Sequence, residues 1–187
     1  EVLRNKAAGG IIITASHNPA TYSGLKFNSA WGGPALPQIT QKIEAGAEPY
    51  LAGEAIPKTS REAVGLKKRL IVPHDPMPAY FKQLDELVDR SLLKRGKIRV
   101  VTDALWGAGR GYLDEYLRKA GVDVNALHTN RDVLYNGHGP SPDPETLTEL
   151  QATVKKTKAH LGLATDGDAD RFGIMDVDGS MLTPNEF

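Results

Sequence analysis

Three carboxylates at alternate positions, Asp166, Asp168 and Asp170, follow directly on the uncharged run Leu161-Gly162-Leu163-Ala164-Thr165. No other feature constrains the fold as much. A short apolar run without charge reads as a buried strand, and it delivers the acids to the end of a sheet, where open α/β sheets keep their ligands. Two like charges about 5 Å apart at an effective dielectric near 20 repel by roughly 3 kcal/mol. Three acids therefore converge in one loop only around a counter-charge. An all-oxygen set selects a hard cation, magnesium, manganese or calcium, over zinc. The chain has no cysteine, and the histidine nearest in sequence, His160, lies on the far side of the strand. A merely solvated acidic turn is the plain alternative. A calcium hand needs Gly at the sixth loop position and Glu at the twelfth; counted from Asp166, Arg171 and Val177 stand there, which removes that reading.

The pattern leading to this loop alternates. Residues 98–103 read as a strand, 110–120 as a helix closed by Gly121, 122–127 as a strand, and Pro144 to Lys156 as a helix. Asp143 stands at the N-cap of that last helix and Pro144 at its first position. Strand, helix, strand, helix, strand predicts a parallel sheet with right-handed crossovers. Met175 to Met181 adds a hairpin through Asp178-Gly179, which makes Asp176 and Asp178 turn residues and not ligands. The loop from Asp103 to Arg110 carries Gly107 and Gly109, but with Gly111 these miss the dinucleotide spacing Gly-x-Gly-x-x-Gly. Tight strand-to-helix packing is the better account.

Upstream, Gly10 to Ile13 is a β-branched strand. Gly32-Gly33-Pro34 breaks the chain, and Pro37 to Ile43 opens a short helical pattern ending near Gly46. The basic cluster Lys67-Lys68-Arg69 reads as a solvated face before the strand-like Leu70-Ile71-Val72. Met77, Tyr80, Phe81, Leu84, Leu87 and Val88 recur at helical spacing and form a core stripe. The polar run Lys94-Arg95-Gly96-Lys97 is the expected boundary between two domains, residues 1–94 and 95–187.

At 187 residues the chain can bury one good core or two small ones. Lys plus Arg equals Asp plus Glu at 23 each, so no global field draws it to nucleic acid or to an anionic membrane. The lack of cysteine fits a reducing cytoplasm, and no apolar stretch approaches the roughly 20 residues of a membrane helix.

The strand at Gly10 runs straight into Thr14-Ala15-Ser16-His17-Asn18-Pro19. Serine beside histidine is not in itself a catalytic pair, because neighbouring side chains on an extended chain point apart. The whole hexapeptide, however, resembles the phosphoserine loop of the α-D-phosphohexomutases, and Asp166-Gly167-Asp168-Ala169-Asp170-Arg171 resembles that family's metal loop, in the family's order. The resemblance extends through Tyr22-Ser23-Gly24-Leu25-Lys26-Phe27 and Lys97-Ile98-Arg99-Val100-Val101-Thr102-Asp103, and covers nearly all of the chain. Within that family the chain resembles bacterial phosphoglucomutases and phosphomannomutases. Thr14 points that way, since phosphoglucosamine mutases commonly resemble Ser-Ala-Ser-His-Asn-Pro at this site. A strand followed by Asp-x-Asp-x-Thr or Val, as in haloacid dehalogenase-type aspartyl phosphotransferases, is the runner-up; here the fifth position is Asp170.

The resemblance implies two incomplete α/β domains, with mixed or parallel sheets covered by helices. They would be the later part of a first domain and most of a second, in a four-domain parent protein whose third and fourth domains this chain lacks. The opening at Glu1 without methionine agrees with a fragment. The implied activity interconverts hexose 1-phosphate and hexose 6-phosphate through a phosphoserine and a hexose 1,6-bisphosphate. By that resemblance Ser16 carries the phosphoryl group and His17 and Lys26 do acid and base work. Arg171 steadies the phosphate, and Asp166, Asp168 and Asp170 bind one Mg2+ completed by a Ser16 phosphate oxygen. Hexose phosphates are the expected partners. A non-catalytic module binding a divalent cation or phosphate through the same loops is the alternative from another class.

Overall fold

A computed structural model of the chain describes residues 1–55 and 71–183. The basic cluster at 67–69 and Leu70 lie outside the described residues. The chain forms two compact units, the first made of Glu1–Ile12 and Leu25–Pro78, the second of Ile13–Gly24 and Ala79–Phe187.

In the first unit, β1 (Gly9–Ile13) pairs with β2 (Leu25–Ser29) in a two-stranded sheet. Helix α1 (Pro37–Leu51) begins where the sequence places it, with Pro37 in its first turn after an extended Leu36 (φ −70°, ψ 155°), as the residue before a proline prefers. It does not stop near Gly46. It runs on through Gly46 and takes Pro49 into its last turn. Ile71 and Val72 are exposed and form no strand.

The second unit holds a five-stranded sheet in the order β4-β3-β5-β6-β7, formed by β3 (Arg99–Asp103), β4 (Asp123–Leu127), β5 (Leu161–Thr165), β6 (Phe172–Asp176) and β7 (Met181–Leu182). Strand β3 is parallel to both β4 and β5, with Asp103 level with Leu127 and Ala164. The pair β6 with β7 is antiparallel, as the predicted hairpin requires, and β5 with β6 is antiparallel as well. Its turn is closed by Asp178, which accepts from the Ser180 amide and hydroxyl.

Alternation along the strands sorts the core into two layers. Val101 and Ala164 face a cluster with Leu105, Leu147, Leu150, Val154 and Met175, where helix α5 (Thr148–Thr157) lies on the sheet. Val100 faces the opposite cluster with Leu117 and Val122, covered by α4 (Leu113–Lys119). Gly162 permits the α5 contact: a Cβ there would meet Val154 Cγ2 at 2.9 Å. In the amphipathic helix α2 (Met77–Leu87) the stripe is core only in part, since Phe81 is buried while Leu87 is exposed. Phe81 packs edge-on to Tyr116 at 5.4 Å between ring centres. Lys94 and Arg95 end α3 (Arg90–Gly96), whose N-cap Asp89 accepts from the Ser91 amide.

The Asp143-Pro144 signal proves to be a turn. The Asp143 carbonyl accepts from the amides of Thr146 and Leu147, and α5 starts only at Thr148. Among the described residues no helix is long and apolar enough to cross a membrane.

Candidate active site

Parallel strands β4, β3 and β5 end side by side, and Asp166 is the first residue past the end of β5. Asp166 is fully buried. Its Oδ1 accepts the amides of Asp170 and Arg171, each at 3.0 Å, and its own amide donates to the Arg171 carbonyl at 3.2 Å. These bonds curl the loop, with Ala169 in the left-handed region (φ 61°). The curl brings one carboxylate oxygen each from Asp166, Asp168 and Asp170 within 4.8 Å of one another. Burial pushes the Asp166 carboxyl above its ordinary value; the Arg171 amide pulls against this, and the negative charges of Asp168 and Asp170 add to it.

The serine loop lies in the same unit. Thr14 Oγ1 donates to Asp168 Oδ2 at 2.9 Å and accepts the Ser16 amide at 2.8 Å. Ser16 itself has φ 56°, a backbone conformation that costs a non-glycine residue roughly 1–2 kcal/mol and that the Thr14 bond helps to hold. Gly167 has no room for a side chain. A Cβ there would lie 2.9 Å from Pro140 Cβ, 3.1 Å from the Tyr135 hydroxyl oxygen and 3.3 Å from the Ser16 carbonyl oxygen. The Gly167 amide donates to the Pro140 carbonyl at 3.0 Å.

Six of the residues singled out in the sequence thus lie in one unit: Ser16, His17, Asp166, Asp168, Asp170 and Arg171. His17 is half-buried, and its Nδ1 is buried without a hydrogen-bond partner. The Arg171 side chain is exposed. Lys26 stands on β2 of the first unit and is exposed. Thr14 was visible in the sequence only as a family mark, and its bridging role comes from the fold. Tyr135 and Pro140 carried no signal, because the turn that places them (φ 52° at Tyr135 and at Asn136) has no regular period. The buried Asp166 carboxylate has its Oδ1 taken by two amides.

The donor set fits a hard divalent cation. It is all oxygen, and Asp166 Oδ2 is buried with no hydrogen-bond partner, a state that is costly for a carboxylate without a counter-charge. A serine hydroxyl in one unit with such a set, at the carboxyl end of a parallel sheet, is the combination of groups that phosphoryl-transfer sites use.

Comparison with known proteins agrees with this class. Residues 78–179 match the family profile "Phosphoglucomutase/phosphomannomutase, alpha/beta/alpha domain II", and residues 2–52 match that of domain I. The chain belongs to the phosphoglucomutase/phosphomannomutase family. It is 35% identical over 175 residues to a "Probable phosphoglucosamine mutase" of Methanobrevibacter smithii, covering 94% of this chain and 37% of that protein. It is 28% identical over 189 residues to a phosphoglucomutase of Komagataeibacter xylinus, covering 96% and 34%. A crystal structure from Thermus thermophilus, provisionally assigned as a phosphomannomutase, superposes with a TM-score of 0.76 at 32% identity, covering 98% of this chain and 40% of that one. The chain spans under two fifths of the length of the curated relatives it matches.

Proposed function

We propose that this chain carries the phosphoryl-transfer centre of a hexose-phosphate mutase, with Ser16 as carrier. The observation that supports it is the Thr14 hydroxyl, which bonds the Ser16 turn on one side and Asp168 on the other. Through it the nucleophile loop and the acid loop are fixed to each other, 154 residues apart in sequence.

Ser16 Oγ enters the cycle as a phosphate ester. A sugar hydroxyl oxygen bonds to phosphorus as the Ser16 Oγ–P bond breaks, and the hydroxyl proton passes to a base. The hexose 1,6-bisphosphate then presents its other phosphate: Ser16 Oγ bonds to that phosphorus as the sugar O–P bond breaks, and the base gives its proton to the released sugar oxygen. Covalent transfer splits one difficult step into two. His17, next to Ser16 in the chain, is the first candidate for the proton work. Lys26 is the second candidate; a free lysine has a pKa near 10.4, so it serves better as a positive charge beside a hydroxyl. The exposed Arg171 guanidinium can take two phosphate oxygens at once. Asp166, Asp168 and Asp170, with a phosphoserine oxygen, would hold one magnesium ion, which when bound supplies the charge neutralisation that dominates phosphoryl transfer.

Glucose phosphates are the proposed substrates, with mannose phosphates also accepted, because Thr14 stands in the serine loop and nothing there reads the C2 hydroxyl. The family's third and fourth domains supply sugar recognition and the clamp on the distal phosphate, so the 187-residue chain by itself is proposed to be inactive in turnover. Incubation with glucose 1,6-bisphosphate and magnesium, followed by intact mass and peptide mapping, tests the reading. Phosphate on Ser16 is expected. A chain that binds the ion and never acquires phosphate is a non-catalytic module, and label that is lost to hydroxylamine marks an aspartyl enzyme.

A further inference from the structure

The loop after β3 touches the acid loop main chain to main chain, and a contact between Asp103 and His128, 25 residues apart in sequence, holds that loop. Asp103, the last residue of β3, is 2% exposed. Its Oδ1 accepts the Leu105 amide at 2.8 Å and lies 2.8 Å from His128 Nδ1, at the end of β4. His128 Nε2 reaches Glu149 at 3.1 Å, and the ring stacks on Trp106 at 3.7 Å. Between these anchors Leu105 (φ 43°) and Trp106 (φ 55°) are consecutive non-glycine residues in the left-handed region. Such a backbone persists only where its surroundings over-determine it. Here the Asp103 carboxylate, the His128 stack and the Arg110 guanidinium, which donates to the carbonyls of Trp106 and Gly107, do so.

The strained turn ends against Asp166 and Gly167. The Ala108 amide donates to the Gly167 carbonyl at 2.8 Å. A Cβ on Gly107 would stand 2.7 Å from the Gly167 carbonyl oxygen and 2.9 Å from that of Asp166. On Gly109 it would stand 2.7 Å from Thr165 Oγ1.

We infer that Asp103, with His128, is a positioning residue for the metal loop: it sets the turn at Leu105–Trp106, and that turn seats the backbone of Asp166 and Gly167 so that the three carboxylates converge. This rests on the metal reading proposed above. Residues that orient the ligands of an ion affect its affinity about 10- to 100-fold.

The test is calorimetric titration of the 187-residue chain with Mn2+, beside urea unfolding of each protein. Asp103→Ala is expected to weaken Mn2+ binding at least about tenfold. Asp103→Asn keeps an oxygen acceptor for the Leu105 amide and is expected to stay within about threefold of the parent, less than the loss that misoriented ligands bring. Gly107→Ala, which pushes on Asp166 and Gly167 directly, is expected to match Asp103→Ala and carries the test should Asp103→Ala not fold. A merely structural role lowers the urea midpoint and leaves the affinity of the folded protein unchanged. Folded Asp103→Ala or Gly107→Ala protein that binds Mn2+ like the parent overturns the inference, as does an Asp103→Asn loss equal to that of Asp103→Ala. A parent chain that fails to bind Mn2+ overturns the metal reading, and the inference with it.

Discussion

Replacing Asp166 by Asn is expected to stabilise the metal-free protein, although the residue is at the centre of the site. The two amide bonds to Oδ1 survive, since Asn keeps an oxygen there. What disappears is a buried charge with two like charges within 4.8 Å. Each such pair repels by about 1 kcal/mol at the dielectric of water and about 3 kcal/mol at an effective value of 20. Asp168 is half-buried and Asp170 exposed, which places the pairs toward the lower figure, so relief amounts to about 2 kcal/mol. Weaker amide bonds to a neutral acceptor cost about 1 kcal/mol in return. With the burial penalty also removed, the net gain is about 1–2 kcal/mol. Urea unfolding at pH 7 in EDTA measures it, and repetition with excess magnesium should reverse the order, because only the parent gains from ligand binding to the folded state. The pH dependence follows from the raised Asp166 pKa. The folded protein keeps that proton where the unfolded chain has lost it, so this group's contribution to stability falls as pH rises from the ordinary carboxylate range through the folded value. The gap between Asn variant and parent should therefore close below about pH 4. An Asn variant less stable than the parent in EDTA at pH 7 would refute the claim that burial and repulsion outweigh the amide bonds.

Asp168→Ala removes one acid and the acceptor of Thr14, and should abolish magnesium-dependent stabilisation in thermal unfolding; a response like the parent's would sink the metal assignment. In the full-length protein, Ser16→Ala should remove most turnover of glucose 1-phosphate, and Lys26→Ala, which removes a positive charge, should lower it. Activity confined to glucosamine phosphate would overturn the substrate choice, and full activity in Ser16→Ala the mechanism. Leu150→Ala, at a side chain with no exposure beneath α5, should cost about 2–5 kcal/mol in urea unfolding; a loss under about 1 kcal/mol would mean that the site collapses around the missing atoms.

The sequence by itself determined what local pattern can encode. The uncharged run at Leu161–Thr165 had to be a buried strand, and the acids after it had to stand at its end; both follow from period and charge. The helix over residues 77–87 and the Asp178-Gly179 turn were legible for the same reason. Local signals failed where two structures share one signal. Asp143-Pro144 opens a turn as readily as a helix, and Pro49, a helix breaker in the interior, is tolerated in the last turn of α1. The tertiary structure alone decided which distant groups meet. The strand order β4-β3-β5 sets Asp103 beside His128 and lays the Gly107 turn on Gly167. Residues 13–24 belong to the second unit, where Thr14 bonds Asp168. No periodicity records such pairings, because they depend on which strand ends lie side by side, and that is fixed by packing on both faces of the sheet.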